Sequence, residues 1–480
     1  MSRTSSHAIV VGASIAGLLA ARVLPRYFDR VTLVERDALP DLPVSRIGVP
    51  QANHNHVLLL RGRQIMEELF PGLQAAVLGD GGLLVDMANE LAWLTPWGWG
   101  VRFASPLVML ACSRALLDWR LRTMLAASGD VTLSTGTHVR GLVMDGRRVR
   151  GIRTEAGDID ADLVIDASGR GSRAPQWLQE GGFMTPPESC VSAFLGYASR
   201  FYRPGDDGAR WWKGLYLQAA PPDHPRVGVI LPIEGGLWHV TLGGGDRQFP
   251  PGDDRGFLDF ARSLRSAALH DAICGAEPLS PIYVTRSTEN RRRHFETIAM
   301  PEGFVAMGDS VCAFNPVYGQ GMTTAALGAR TLDACLGSTL RRTGAPDGNG
   351  LPAAFHDALT KINDRAWMLA TGEDLRYRST EGGRRSIATR FMHRYLDAIG
   401  ATTTTDQAVR LQLLRTFHMV AGPEALFSPA IWWRMVRRRS TRRARAEDAH
   451  GGVAEEIAPW IGHERPRQDP DPQRTSGPVA

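Results

Sequence analysis

The segment His7-Ala8-Ile9-Val10-Val11-Gly12-Ala13-Ser14-Ile15-Ala16-Gly17 sets an apolar strand, a glycine turn and a helix start in close succession. A helical run over Ala16–Leu24 and a second apolar strand over Val31–Glu35 complete a strand–helix–strand unit. A turn of this kind aims backbone N–H groups and the positive end of a helix at a pyrophosphate. Gly12 suits the tight turn and Gly17 the close packing of helix on strand. Ser14 stands where a second glycine is usual, and its hydroxyl can meet a phosphate oxygen. Ile15 and Ala16 complete the turn. Glu35, with Arg36 beside it, ends the second strand, where a carboxylate accepts hydrogen bonds from an adenosine ribose. Gly12-x-Ser14 also begins the nucleophile turn of hydrolases, but residue 16 is Ala and no strands upstream of this unit remain to build the sheet and oxyanion loop.

Outward from this unit, Arg114–Ala127 is amphipathic, and Val131–Val143 with Arg148–Thr154 is predicted as a hairpin across Asp145-Gly146. Leu163–Asp166 is a buried strand before a glycine-rich turn. Phe194–Ala198, Tyr216–Ala219, Val227–Pro232 and Leu237–Leu242 alternate as in an antiparallel sheet. Phe304–Met307 is another buried strand, a long helix starts near Met322, and the pattern beyond Leu351 is helical. Gly308-Asp309-Ser310 follows the Phe304–Met307 strand and precedes Asn315-Pro316-Val317-Tyr318-Gly319-Gln320-Gly321-Met322. A strand-end Asp holds a polyol hydroxyl, and a glycine-rich helix start stabilises negative charge on a ligand ring. Paired with the first turn, this is a flavin pattern: Gly308 and Asp309 for the ribityl chain, Pro316, Gly319, Gln320, Gly321 and Met322 for the ring.

These motifs resemble the flavoprotein monooxygenase superfamily with the p-hydroxybenzoate hydroxylase fold, over about residues 8–336. The likeness includes Ala167-Ser168-Gly169-Arg170-Gly171-Ser172, where Ser168 replaces the family's Asp beside Gly169. It implies that Arg114 contacts the FAD phosphates and that the Val139 backbone meets adenine. It also implies that Arg46, Val49 and Gln51 belong to the loop beside the isoalloxazine. Gly48–His56, Ala111–Trp119 and Phe314–Met322 further resemble bacterial polyene epoxidases of polyether-antibiotic biosynthesis, lasalocid- and monensin-type relatives of squalene epoxidase. The resemblance implies non-covalent FAD, O2 as co-substrate, and NAD(P)H as electron source, direct or through a flavin reductase. It also implies epoxidation of an apolar polyene through a flavin C4a-hydroperoxide, with no catalytic acid–base residue of the protein. Hydroxylation of an aromatic polyketide and reduction of isoprenoid double bonds are the alternatives.

The fold class expected is α/β: a Rossmann-like FAD-binding domain (1–80, 106–180 and 285–345) with an inserted antiparallel-sheet substrate domain (81–105 and 181–284). A C-terminal helical region (346–450) and a flexible tail (451–480) follow. Trp93, Trp97 and Trp99 are expected to wall an apolar substrate channel, joined by Trp211, Tyr216 and Trp238, for which core packing is the competing reading. Trp97-Gly98-Trp99 is similar to a flavin-halogenase motif, but those enzymes need an early lysine. The two lysines here are Lys213 and Lys361. His54 and His56 share a face if extended, without further ligands at metal spacing.

The 480 residues are 43% hydrophobic and 22% charged, globular values that exclude disorder throughout. No apolar stretch approaches the ~20 residues of a membrane-spanning helix, and the N-terminus is unlike a signal peptide. Five cysteines without a close pair fit a reducing cytoplasm. The net charge of +5 stems from one run, Arg434, Arg437, Arg438, Arg439, Arg442, Arg443 and Arg445; without these seven it becomes −2. That distribution argues against a nucleic-acid partner and leaves a weak peripheral membrane contact open beside Trp432 and Trp433.

Overall fold

The computed structural model describes residues 5–46, 48–205 and 210–437. Five parallel strands run in the order Phe304–Ala306, Leu163–Asp166, His7–Val11, Arg30–Val34, Thr132–Ser134. His7–Val11 is central and buried along its whole length. Both its faces are covered, which is why it reads as an apolar run and not as an alternation. The helices Ile15–Val23 and Gly321–Thr343 pack together, and Leu60–Leu69 also lies on Gly321–Thr343.

The expected Val131–Val143 strand divides in two. Thr132–Ser134 joins the parallel sheet, and only Val139–Asp145 pairs with Arg148–Thr154. Between them Gly136 takes φ +64°, a left-handed conformation that ends an extended run. The expected antiparallel sheet is larger and mixed, because Gly214–Leu217 pairs with Leu91–Thr95 in parallel. Its main path runs Glu277–Pro278, Gly196–Arg203, Leu237–Gly244, Arg226–Ile233, Gly214–Leu217, Leu91–Thr95, Gly98–Trp99. The strand expected from Phe194 starts at Gly196, because Phe194 itself has φ +48°.

Strand alternation gives this sheet two different faces. Leu215, Leu217, Ile230, Trp238, Val240 and Leu242 pack under Phe257 and Phe260 of the helix Asp254–Arg262. Trp93, Tyr216, Val229 and Leu231 occupy the other face. The C-terminal helices Leu351–Asp374, Ile387–Thr402 and Gln407–Phe417 follow, the first packed along Gly321–Thr343. His418 accepts at Nδ1 from the Leu60 N–H (3.1 Å), which ties the last of these to Leu60–Leu69.

Among the described residues no helix is long and apolar enough to cross a membrane. Trp432 and Trp433 are exposed, and Arg434 pairs with Asp406 at 2.9 Å. Arg438, Arg439, Arg442, Arg443 and Arg445 lie outside the described residues, as does the expected tail.

Candidate active site

The glycine turns are fixed by contact between backbones. A Cβ on Gly17 would stand 1.7 Å from the Gly12 carbonyl oxygen, and one on Gly12, itself at φ +101°, would stand 2.7 Å from that of Ala167. A Cβ on Gly308 would stand 2.7 Å from the Cβ of Ala16. The Gly169 N–H donates to Ser310 Oγ at 2.9 Å. The three glycine motifs, separated by well over a hundred residues each, therefore meet at one point.

Around that point lies a set of buried polar groups. Ser14 caps the helix Ile15–Val23, but its hydroxyl accepts from Arg114 Nη2 (2.8 Å) instead of closing on its own helix. The N-terminal N–H groups of that helix are thereby left to another acceptor. Glu35 is buried; its carboxylate accepts from the N–H of Ala13 (2.8 Å) and pairs with Arg46 (2.9 Å). Burial pushes this carboxyl up, but Arg46 and the Ala13 and Asp37 N–H groups outweigh it and hold it below its ordinary pKa. Arg46 also donates to the Ala13 carbonyl (2.7 Å) and lies 3.5 Å from Asp118. Its guanidinium therefore sits among Ala13, Glu35 and Asp118, beside the turn that begins at Gly12. Asp37 holds the loop by accepting from the Gly48 N–H (2.7 Å); Val49 is buried and Gln51 exposed. Arg36 is exposed at the rim, and Val139 follows the 134–137 segment, whose Thr137 N–H donates to the Glu35 carbonyl (2.9 Å).

The donor set fits a dinucleotide. Arg46 Nε and Arg114 Nε are buried without a hydrogen-bond partner among the described residues, an arrangement that is costly unless an anion is received there. Asp309 carries no hydrogen-bond partner among the described residues. Burial raises its pKa while Arg170 and Arg114 pull it down. Its Oδ1 faces Gly321, where an added Cβ would sit 3.8 Å away. Gln320 caps the helix Gly321–Thr343 with a buried, unpartnered Oε1, and Met322 is buried just inside it.

Ser168 donates to Asp166 (2.5 Å), as does Ser172 (2.5 Å), so Asp166 is the carboxylate that shapes this turn. Arg293 donates to the Ser310 carbonyl (2.9 Å) and the Arg170 carbonyl (3.2 Å), fastening two motifs together. Sequence reading missed it, and missed Asp374, which accepts from Asn290 (2.6 Å), Asn315 (3.2 Å) and the Tyr318 hydroxyl (2.5 Å). Asp374 thus anchors the 315–319 loop from a helix 59 residues on. Asp118 was readable, as the residue one helical turn after Arg114.

A cavity, open at its mouth, abuts this loop at Pro316, Val317 and Gly319. Trp93, Tyr216, Val229, Leu231 and Phe417 give it apolar walls. Phe417 meets Trp93 edge-on at 5.7 Å. Of the aromatic residues expected at a substrate channel, Trp93 and Tyr216 line it and Trp97, Trp99, Trp211 and Trp238 do not. Trp99, Trp211 and Trp238 join the core on the opposite face of the sheet, and Trp97 packs on Gly400. Trp99 pairs with Leu94, the residue after Trp93, and so joins the opposite face.

His54 lines the cavity, in irregular chain after the turn Pro50–Asn53 and not on a strand with His56. Its Nδ1 lies 2.8 Å from Ser199 Oγ, and His56 Nδ1 lies 2.8 Å from the His54 carbonyl. Burial lowers His54 to about 4 and, with help from Arg114, His56 to about 3. Both are neutral at neutral pH.

Residues 8–176 match the family model described as FAD dependent oxidoreductase. Over 388 residues the chain is 32% identical to Protein Rv3254 of Mycobacterium tuberculosis, covering 77% of this chain and 80% of that one. The chain belongs to the FAD-dependent oxidoreductase and monooxygenase superfamily. It is also 29% identical over 406 residues to the kynurenine 3-monooxygenase of Salinispora arenicola, covering 79% of this chain and 82% of that one. The solved structure of the flavin-dependent brominase Bmp2 superposes with a TM-score of 0.64 at 14% identity, covering 92% of this chain and all of that one. At that identity the likeness is one of fold alone. As a member of the superfamily, this flavoprotein takes FAD as its cofactor.

Proposed function

We propose that this flavoprotein epoxidises C=C bonds of an apolar polyene. One oxygen atom of O2 enters the product and the other leaves as water, with NAD(P)H supplying two electrons directly or through a separate reductase. Bound FAD supplies the oxygen chemistry; the chain holds the cofactor and positions the substrate. The observation that supports this reading is the apolar cavity ending on Pro316, Val317 and Gly319, the loop that continues into the flavin motif. Its Trp93, Tyr216 and Phe417 walls are apolar at that end, and an apolar surrounding favours oxygen transfer over loss as hydrogen peroxide. No acid–base pair converges there: His54 is the titratable imidazole of the lining, and burial keeps it neutral. An alkene needs no deprotonation, whereas a phenol profits from a base.

Aromatic hydroxylation is the second reading, favoured by the kynurenine 3-monooxygenase relative. Halogenation is disfavoured by the lysines: Lys213 pairs with Glu90 (2.8 Å) at the surface, and neither it nor Lys361 lines the cavity. The test is product analysis from a polyene and a phenol supplied with FAD, NADPH and a reductase. A gain of one oxygen at a former C=C bond is expected. A gain of two hydrogens, or oxygen on the phenol alone, contradicts the proposal.

A further inference from the structure

Beside the apolar cavity lies a smaller one, sharing Tyr216, Val227 and Val317 with it. Beyond Ala219 and Pro221, its other walls carry polar groups: Gln218, Tyr318, Glu373 and Tyr377. Resting on the reading of the larger cavity as the substrate site, we propose that this second lobe binds a hydroxyl-bearing end of the substrate and rejects a carboxylate.

The hydrogen-bonding inventory supports a hydroxyl. The Tyr216 and Tyr377 hydroxyls meet no partner among the described residues, and each can donate or accept. Gln218 spends its Oε1 on the Trp93 indole N–H (3.0 Å), which leaves its amide N–H groups as donors at the junction of the lobes. A substrate hydroxyl, donor and acceptor at once, satisfies such a mixed set. An apolar end would leave it unsatisfied, at a cost that favours the polar ligand.

Charge decides against an acid. Glu373 lies in the wall, and Asp374 sits behind it on Tyr318. Arg376 neutralises Glu373 at 3.0 Å but is committed also to Asp397 (2.9 Å) and lines neither lobe. No Lys or Arg lines either lobe. A carboxylate would enter beside two acidic side chains with no cation to meet it. The ring of Tyr377 has its place because residue 245 is glycine: a Cβ there would stand 2.2 Å from Tyr377 Cε1.

The experiment titrates the FAD-loaded full chain, following bound-flavin absorbance, with three probes of one carbon skeleton at pH 8: farnesol, farnesoate and the hydrocarbon farnesene. Farnesol is expected to bind about tenfold tighter than farnesene and tighter still than farnesoate, one good hydrogen bond being about a factor of ten. Tyr377→Phe should erase most of the farnesol advantage and leave farnesene affinity unchanged; Tyr216→Phe, whose ring walls both lobes, should likewise lower the ratio of farnesol to farnesene affinity. Farnesoate binding as tightly as farnesol overturns the inference. So does a Tyr377→Phe change that weakens all three probes equally. Binding blind to the head group removes this inference alone, whereas failure of every probe to bind removes the apolar-cavity reading with it.

Discussion

Around Gly12, Gly17 and Gly308, backbone meets backbone at distances that admit no Cβ; around Trp93 and Tyr216, side chains alone form the wall. The first region binds what the whole superfamily binds, so its geometry is written into the main chain. The second, the cavity proposed for the substrate, is written in the side chains of one sheet face. A main-chain site tolerates almost no substitution at its contact points. A side-chain site is retuned residue by residue, without disturbing the sheet that carries it.

The sharpest way to break this contrast is Gly17→Val. With 1.7 Å between its Cβ and the Gly12 carbonyl oxygen, the turn must open, and the purified protein should retain under about a tenth of its flavin. Full flavin content would refute the main-chain account. Next in size is the pair Trp238→Ala and Trp93→Ala. Trp238 is buried in the core under Phe257, so its loss should cost about 3–5 kcal/mol in denaturant unfolding while leaving apolar-probe affinity intact. Trp93→Ala should do the reverse, weakening the probe with a smaller loss of stability. If both variants change binding alike, the two faces are not distinct.

Arg114→Met should weaken FAD binding by about 2 kcal/mol, the scale of a charge-assisted hydrogen bond, read by flavin titration. Lysine at the same position should not restore it fully, since one ammonium cannot reach Ser14 and a phosphate in the geometry of a planar guanidinium.

The smallest effect tests the join between the regions. Burial raises Asp374 to about 7, against hydrogen bonds from Tyr318, Asn315 and Asn290 that lower it. Between about pH 4 and 7 the folded chain therefore keeps a proton that the unfolded chain releases. Stability from this group is fullest below about pH 4 and is lost as pH rises through 7, at up to about 1.4 kcal/mol per unit. Unfolding of Asp374→Asn, compared with the parent across that window, should lack this slope.

What was legible in the sequence follows the same division. His7–Val11, Arg114–Ala127 and Leu163–Asp166 were read to the residue, because a buried strand and a capped helix declare themselves locally. The glycine motifs were legible for the same reason. The tryptophans were not: Trp97 and Trp99 lie close to Trp93 in sequence, yet Trp97 falls in the turn between strands and the pairing register decides which face Trp99 joins. Glu35 was expected to meet a ribose; its pairing with Arg46 depends on how the 36–48 loop folds back, and nothing local encodes that. Asp374 lies furthest from any signal, since its partners Asn290 and Asn315 come from other elements.

The central claim is that the flavin motif and the apolar face of the sheet meet at the Pro316–Gly319 loop. A crystal structure of the chain with FAD and a bound polyene alcohol tests it most directly. The account predicts the pyrophosphate between Ser14, Arg46 and Arg114, the ring against Pro316–Gly319, and the alkene beside Trp93 and Tyr216. A polyene found among Trp211, Trp238 and the Asp254–Arg262 helix, or a ring directed away from that loop, would contradict it.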